Sequence, residues 1–193
     1  MSGVDNMKQN IEKSFVTPLP VFIIATYDAN GDANAMNAAW VGQVGRDLVS
    51  LSLGAHPSTE NIKLNRAFTV SYATKRFVAQ CDYVGMISFA KEPKKLEKAG
   101  FTVTRSQKVN APVIDQLPVA IECEVVSITE EFGETRVVGR IVGMQADDSV
   151  LTMGKVDLDK LKPITYDSSA RTYRVIGENV AGAWSAGKAL QDK

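Results

Sequence analysis

The chain has 193 residues, 45% of them hydrophobic, which fits one domain with a real core. Its 22 basic and 22 acidic side chains cancel, and with a pI of about 6.6 that balance argues against a protein built on nucleic-acid or membrane-surface charge. Two cysteines are too few for a disulfide framework, and the polar start Met1–Asn10 with no long apolar run predicts a cytoplasmic chain that engages neither nucleic acid nor membrane.

In chain order, Met1–Asn10 reads as a frayed start. Ile11 and Phe15, four apart, suggest a docked helical turn. Pro18 and Pro20 enforce an extended entry into a buried strand, Val21–Tyr27. The Asn30-Gly31 pair predicts a tight hairpin, with Ala33–Trp40 returning as the second strand. After a turn at Arg46-Asp47, Leu48–Leu53 alternates, with Val49, Leu51 and Leu53 on one face and Ser50 and Ser52 on the other. The stretch Gly54–Asn61 is a turn rich in hydroxyls and amides that opens a helix, with Ser58 or Thr59 as the expected N-cap. Ala67–Tyr72 alternates as a strand, and Phe77, Cys81 and Val84 follow at helical spacing. Pro93 opens a short helix that turns Leu96 inward and ends at Gly100. Residues 101–113 show no clear period.

Val119–Ile128 is a long strand with Ile121, Cys123 and Val125 on one face; Thr129–Gly133 turns, and Thr135–Val142 returns. A helical turn at Asp157–Leu161 and strands at Pro163–Tyr166 and Thr172–Ile176 follow. Glu178–Leu190, rich in Ala and Gly with Trp184, reads as a weak terminal helix that contacts a partner or its own barrel. Many short strands with turn signals and few long helices predict a β-barrel or sandwich with appended helices.

The chemistry-bearing residues cluster early. A helix N-terminus beside His56, Ser58 and Thr59 suits a phosphate monoester, and the small residues before it let a flat ring approach the backbone. The same residues also describe a capped surface helix after a hairpin. Trp40 either packs under the barrel or walls a flat cofactor. Asn34 and Asn37 offer donors and acceptors for a polar ring edge, or simply belong to a hairpin strand. His56 is the one histidine, and there is no H-E-x-x-H or C-x-x-C, so no zinc site is recognisable. Cys81 and Cys123 sit on apolar faces and read as core. With no G-x-S-x-G, Walker loop or G-x-G-x-x-G, hydrolase, NTPase and Rossmann readings find no support.

Four blocks occur in order: Asn34-x-x-Asn37-x-x-Trp40; His56-Pro57-Ser58-Thr59-Glu60-Asn61-Ile62; Asp82-Tyr83-Val84-Gly85-Met86-Ile87-Ser88; and Lys94-Lys95-Leu96-Glu97-Lys98-Ala99-Gly100-Phe101. Together they resemble the flavin reductase-like family, which includes flavoredoxin, over roughly Pro18 to Gly187. The resemblance implies a mainly β fold, an FMN-binding split β-barrel of Greek-key type with short appended helices, holding FMN without a covalent link at a homodimer interface. It implies an N-terminal extension over 1–17, the barrel domain over 18–177 and a helical tail over 178–193. The flavin ring falls near Asn34, Asn37, Ala38, Ala39 and Trp40, and the phosphate near Gly54, Ala55, His56, Ser58, Thr59 and Asn61. Asp82, Ser88, Lys95 and Tyr166 complete the implied cofactor residues, Lys95 as a cation near the reduced ring; its other reading is a solvated lysine on the charged stretch Glu92–Lys98.

No side chain is needed as acid or base, and no metal. The implied function is an oxidoreductase that carries hydride or electrons through flavin, with NAD(P)H as donor. The alternatives are a flavoredoxin-like carrier reduced by a redox protein partner, or a non-catalytic flavin- or haem-binding barrel with His56 as haem ligand. Two departures from the family bear on the donor. Glu134, five residues before Gly139, stands where many NAD(P)H-dependent members carry His, and Phe89 follows Ser88 where members often have Gly.

Overall fold

The computed structural model describes residues 8–12 and 16–191. Phe15, one half of the helical turn expected at the start, lies outside them, and Ile11 is exposed in non-helical chain. The prolines give a short extended entry, β1 (Leu19–Pro20), followed by β2 (Phe22–Tyr27). The hairpin turn is pinned by Asp28, whose Oδ1 accepts from the Asn30 and Asp32 amides at 2.8 Å each. The returning strand β3 (Ala33–Ala38) stops two residues short of Trp40, where the chain bends into β4 (Val41–Gln43). Next come β5 (Leu48–Leu53), α1 (Pro57–Asn65), β6 (Ala67–Tyr72), α2 (Val78–Met86) and α3 (Lys95–Lys98).

The stretch expected to be irregular forms a small hairpin, β7 (Val103–Arg105) with β8 (Pro112–Ile114). Three-residue strands are too short to show a period, and Pro112 is tolerated as a first strand residue. The long hairpin pairs β9 (Val119–Glu131) with β10 (Glu134–Ala146) through a turn at Phe132-Gly133, so most of the expected Thr129–Gly133 turn is strand. After β11 (Leu151–Thr152) and β12 (Lys155–Val156), Asp157 caps α4 (Leu158–Leu161), and β13 (Ile164–Asp167) pairs with β14 (Thr172–Val175). Glu178–Leu190 does not form the expected helix; it holds turns and one 3₁₀ turn, Lys188–Leu190. Its glycines penalise helix by about 1 kcal/mol each, and Trp184 is 96% exposed rather than packed on its own barrel.

One antiparallel sheet runs β3-β2-β6-β9-β10-β5-β4 and curls into a half-barrel; β1, β13 and β14 form a second small sheet. Strand β2 is buried on both faces, which explains its unbroken apolar run. Ile24 points into the curl with Leu51, Leu53, Ile62, Phe68 and Val137. Ile23 and Ala25 point the other way, against Ala35, Cys81 and Val84 of the α2 layer. These two cores sandwich β2 and β3 and so fix which way each β3 side chain faces.

Candidate functional site

Alternation along β3 sends Asn34 toward α1 and Asn37 toward α2. Asn34 is 1% exposed; its Nδ2 donates to Ser58 Oγ at 2.9 Å, and its Oδ1 is buried without a partner. Thr59 Oγ1 donates to the Gly54 carbonyl at 2.8 Å, and Asn61 Nδ2 donates to Thr26 Oγ1 at 3.1 Å. The helix N-cap is therefore His56, with Pro57 in the first turn, and not Ser58 or Thr59. Both hydroxyls are 1% exposed and fasten the helix start to the barrel. His56 and Ala55 remain at the surface.

A cleft of about 260 Å³ opens between the β3–β4 bend and the β5–α1 corner. It gathers Asn37, Ala38, Ala39, Trp40, Gly54 and His56 from the sequence-derived set, and adds Met36, Ser52, Leu53 and Glu134. Trp40 is 48% exposed, and its backbone carbonyl is braced by the Ser52 amide at 2.9 Å. Register explains Glu134. Thr135 pairs with Leu53, so the next residue out stands beside Gly54, with one carboxylate oxygen buried and unpartnered. A Cβ on Gly54 would lie 3.3 Å from His56 Nε2 and 3.7 Å from Glu134 Oε2, so glycine keeps this end of the cleft open.

Asn37 is held from behind by Gly85 of α2, where any Cβ would run into the Asn37 amide. A glycine within a helix is disfavoured by about 1 kcal/mol against alanine, and that was the sequence signal for this close approach. The remaining sequence-derived residues do not line the cleft. Lys95 is 2% exposed, which excludes the solvated reading. Its Nζ donates to the Val84 and Ile87 carbonyls at 2.8 and 2.9 Å, closing the end of α2, and burial draws its pKa down to about 8. The Ser88 carbonyl accepts from the Lys91 and Glu92 amides at 3.0 Å each. Asp82 accepts from the Tyr173 hydroxyl at 2.6 Å, and burial followed by that bond pushes the Tyr173 phenol up. The Tyr173 ring lies 6.1 Å from Tyr166, so Tyr173, missed from the sequence, links Asp82 to Tyr166. Cys81 and Cys123 are core, as their apolar faces suggested, and burial pushes both thiols up to about 12. Among the described residues, no three His, Cys, Asp or Glu gather to hold a metal, and no helix is long and apolar enough to cross a membrane.

The cleft thus has one flat aromatic wall, an amide with both donor and acceptor, an imidazole at a helix start and an unpaired carboxylate oxygen. A polar-edged ring fits that donor set. The family model described as the flavin reductase like domain matches residues 15–172. Flavoredoxin of Desulfovibrio vulgaris (Miyazaki F) is similar at 31% identity and TM-score 0.88, over 94% of this chain and 100% of that one. Flavoredoxin from Methanosarcina acetivorans is similar at 25% identity and TM-score 0.86, over 96% and 99%. An uncharacterised protein of Aeropyrum pernix is 24% identical over 172 residues, covering 86% of this chain; the chain spans 64% of that relative's length.

Proposed function

The chain belongs to the flavin reductase-like domain family, and from that premise we propose that it binds FMN non-covalently in the Trp40 cleft and works as a flavin-dependent redox protein. The observation that carries this reading is the cleft itself, where Trp40, Asn37, His56 and Glu134 converge around the open Gly54 corner. The residues fit the cofactor. Trp40 presents an apolar face to a ring, the Asn37 amide can both donate and accept, and His56 stands at the start of α1, where the helix dipole favours an anion such as a phosphate. Asn34 lies behind the cleft rather than in it, its Nδ2 bonded to Ser58 Oγ and its Oδ1 buried without a partner. Bound FMN supplies hydride or electron chemistry; the protein contributes orientation and electrostatics.

A volume of about 260 Å³ falls below the ~300 Å³ lower range of ligand pockets. One chain therefore covers part of a flavin, and a second copy completes the enclosure in a homodimer. The barrel over 18–177 is the functional unit in this reading.

Glu134 favours a redox protein over a nicotinamide nucleotide as electron donor. Its carboxylate borders the approach to the ring and repels the nucleotide phosphates, more strongly where water is excluded. The experiment is a visible spectrum of the purified protein with added FMN, then anaerobic stopped-flow with NADH, NADPH or dithionite. FMN should bind and riboflavin, lacking phosphate, should bind poorly. Reduction by NADH or NADPH should lag dithionite, and Glu134→Gln should speed it. Equal binding of riboflavin would remove the phosphate assignment. Fast nicotinamide reduction unchanged in Glu134→Gln would make the chain an NAD(P)H-dependent reductase.

A further inference from the structure

We propose a second ligand site, unrelated to the flavin cleft, that takes a nucleoside diphosphate: a flat apolar body bearing two linked phosphates. It is a cleft of about 460 Å³ between the 3₁₀ turns Lys75–Phe77 and Asp148–Val150 and the helix α4, within the ~300–1,000 Å³ of small-molecule sites. Its apolar side is made by Phe77, Pro118, Val150 and Leu161. Val150 and Leu161 are 6% and 3% exposed and pack with Val119, so this surface is anchored in core. Its polar side carries Lys75, Arg76, Lys160 and Lys162 against the single carboxylate of Asp147. Asp157 and Asp159 stand beside Lys160 and Lys162, so among the described residues the cations left without a carboxylate partner are the adjacent Lys75 and Arg76.

The walls are held in place by backbone. Lys75 N donates to the Lys162 carbonyl at 2.9 Å, and Thr74 bridges Pro163, which joins the two cationic segments. Asp147 N donates to the Pro118 carbonyl at 2.8 Å, which ties the opposite wall to the apolar side. Among the described residues, neither Lys75 nor Arg76 has an ion-pair partner; the Arg76 guanidinium lies 5.2 Å from the Phe77 ring centroid. Lys160 Nζ donates to the Leu151 carbonyl at 2.5 Å, and Lys162 pairs with Asp159 at 3.4 Å in an exposed contact of the kind worth ~0–1 kcal/mol and easily exchanged for phosphate. The exposed pair Lys75 and Arg76 offers two neighbouring cations to two linked phosphates. An apolar face beside the cations favours a ring-bearing ligand over a bare phosphate chain. The site shares no lining residue with the flavin cleft. Helix α2 begins beside Phe77 and places Gly85 on Asn37 near its other end; nine residues of helix span about 13 Å.

The test is calorimetric titration of the full-length purified chain with ADP, pyrophosphate and adenosine, at low and high salt. ADP should bind one per chain, more weakly as salt rises, and at least about tenfold more tightly than pyrophosphate or adenosine. The double substitution Lys75→Gln/Arg76→Gln removes two exposed positive charges and should weaken ADP by at least about tenfold with thermal unfolding unchanged. Trp40→Ala should leave ADP binding intact. Absence of ADP binding, equal binding by the double variant, or loss of ADP binding in Trp40→Ala would overturn the site. Pyrophosphate binding as tightly as ADP would overturn the two-part ligand.

Discussion

At Lys95 burial and hydrogen bonding pull in opposite directions. A lysine 2% exposed should shed its charge, while two carbonyl acceptors at 2.8 and 2.9 Å hold it in place. A neutral amine still has two N–H groups, so both bonds survive deprotonation. With a folded pKa of about 8 against 10.5 for the free side chain, the unfolded chain binds more protons between those values. Stability therefore rises as pH climbs from about 8 to 10.5, and below that window the full penalty of a buried cation applies. In urea denaturation the stability of wild type relative to Lys95→Met should rise across this window; a pH-independent difference would mean that the ammonium is solvated. Residue identity was legible in the sequence here, and environment was not. Asn34, Ser58 and Thr59 were legible as polar residues of a hairpin strand and a helix start, but that Asn34 meets Ser58, and which way these side chains turn, depends on the packing of α1 against β2 and β3. The hydroxyls that looked like surface caps are the ones that lock the helix start.

Elements were legible where a period ran long enough. The alternation of β5 and the apolar run of β2 marked their strands to within a residue. β7 and β8, three residues each, carry too few positions for a period, and the C-terminal stretch shows that Ala-rich composition alone does not make a helix without a packing face. Helix α2 joins element to site through the contact of Gly85 with Asn37. In Gly85→Ala, the helix gains about 1 kcal/mol of propensity, while the new methyl displaces the Asn37 amide. Because that amide is the end of a flexible side chain, stability should change by less than about 1 kcal/mol, while FMN affinity falls by about one hydrogen bond, 0.5–1.5 kcal/mol. In an Asn37→Ala background the clash is gone, so Gly85→Ala should stabilise and leave FMN affinity unchanged. Equal effects in both backgrounds, by thermal unfolding and flavin titration, would show that the two residues are uncoupled.

At the scale of the whole molecule, the motifs pointed to the barrel, but local periodicity did not set its strand order, because β3 and β5 meet at the cleft only when the sheet curls. That curl leaves large apolar side chains outside. Trp40 is 48% exposed at the cleft, Val44 57% on the loop after β4, and Phe132 98% at the tip of the long hairpin, two residues from Glu134. A contiguous exposed apolar patch marks an interaction surface, and the proposed dimer places its second copy over the Trp40 side of the cleft. If a second copy covers it, burying on the order of 800 Å² per partner, flavin retention and assembly become one linked equilibrium. Sedimentation should then show a dimer of the 20.9 kDa chain, and FMN should raise the dimer fraction. Apparent FMN affinity should weaken on dilution, because ligand held between two chains is lost when they part. Phe132→Ser should shift both curves toward monomer and free flavin while leaving the fold intact, since a side chain 98% exposed contributes no packing within its own chain. A monomer that keeps FMN at every concentration would show that one half-barrel encloses the cofactor by itself, and the exposed Phe132 would then have no part in holding it.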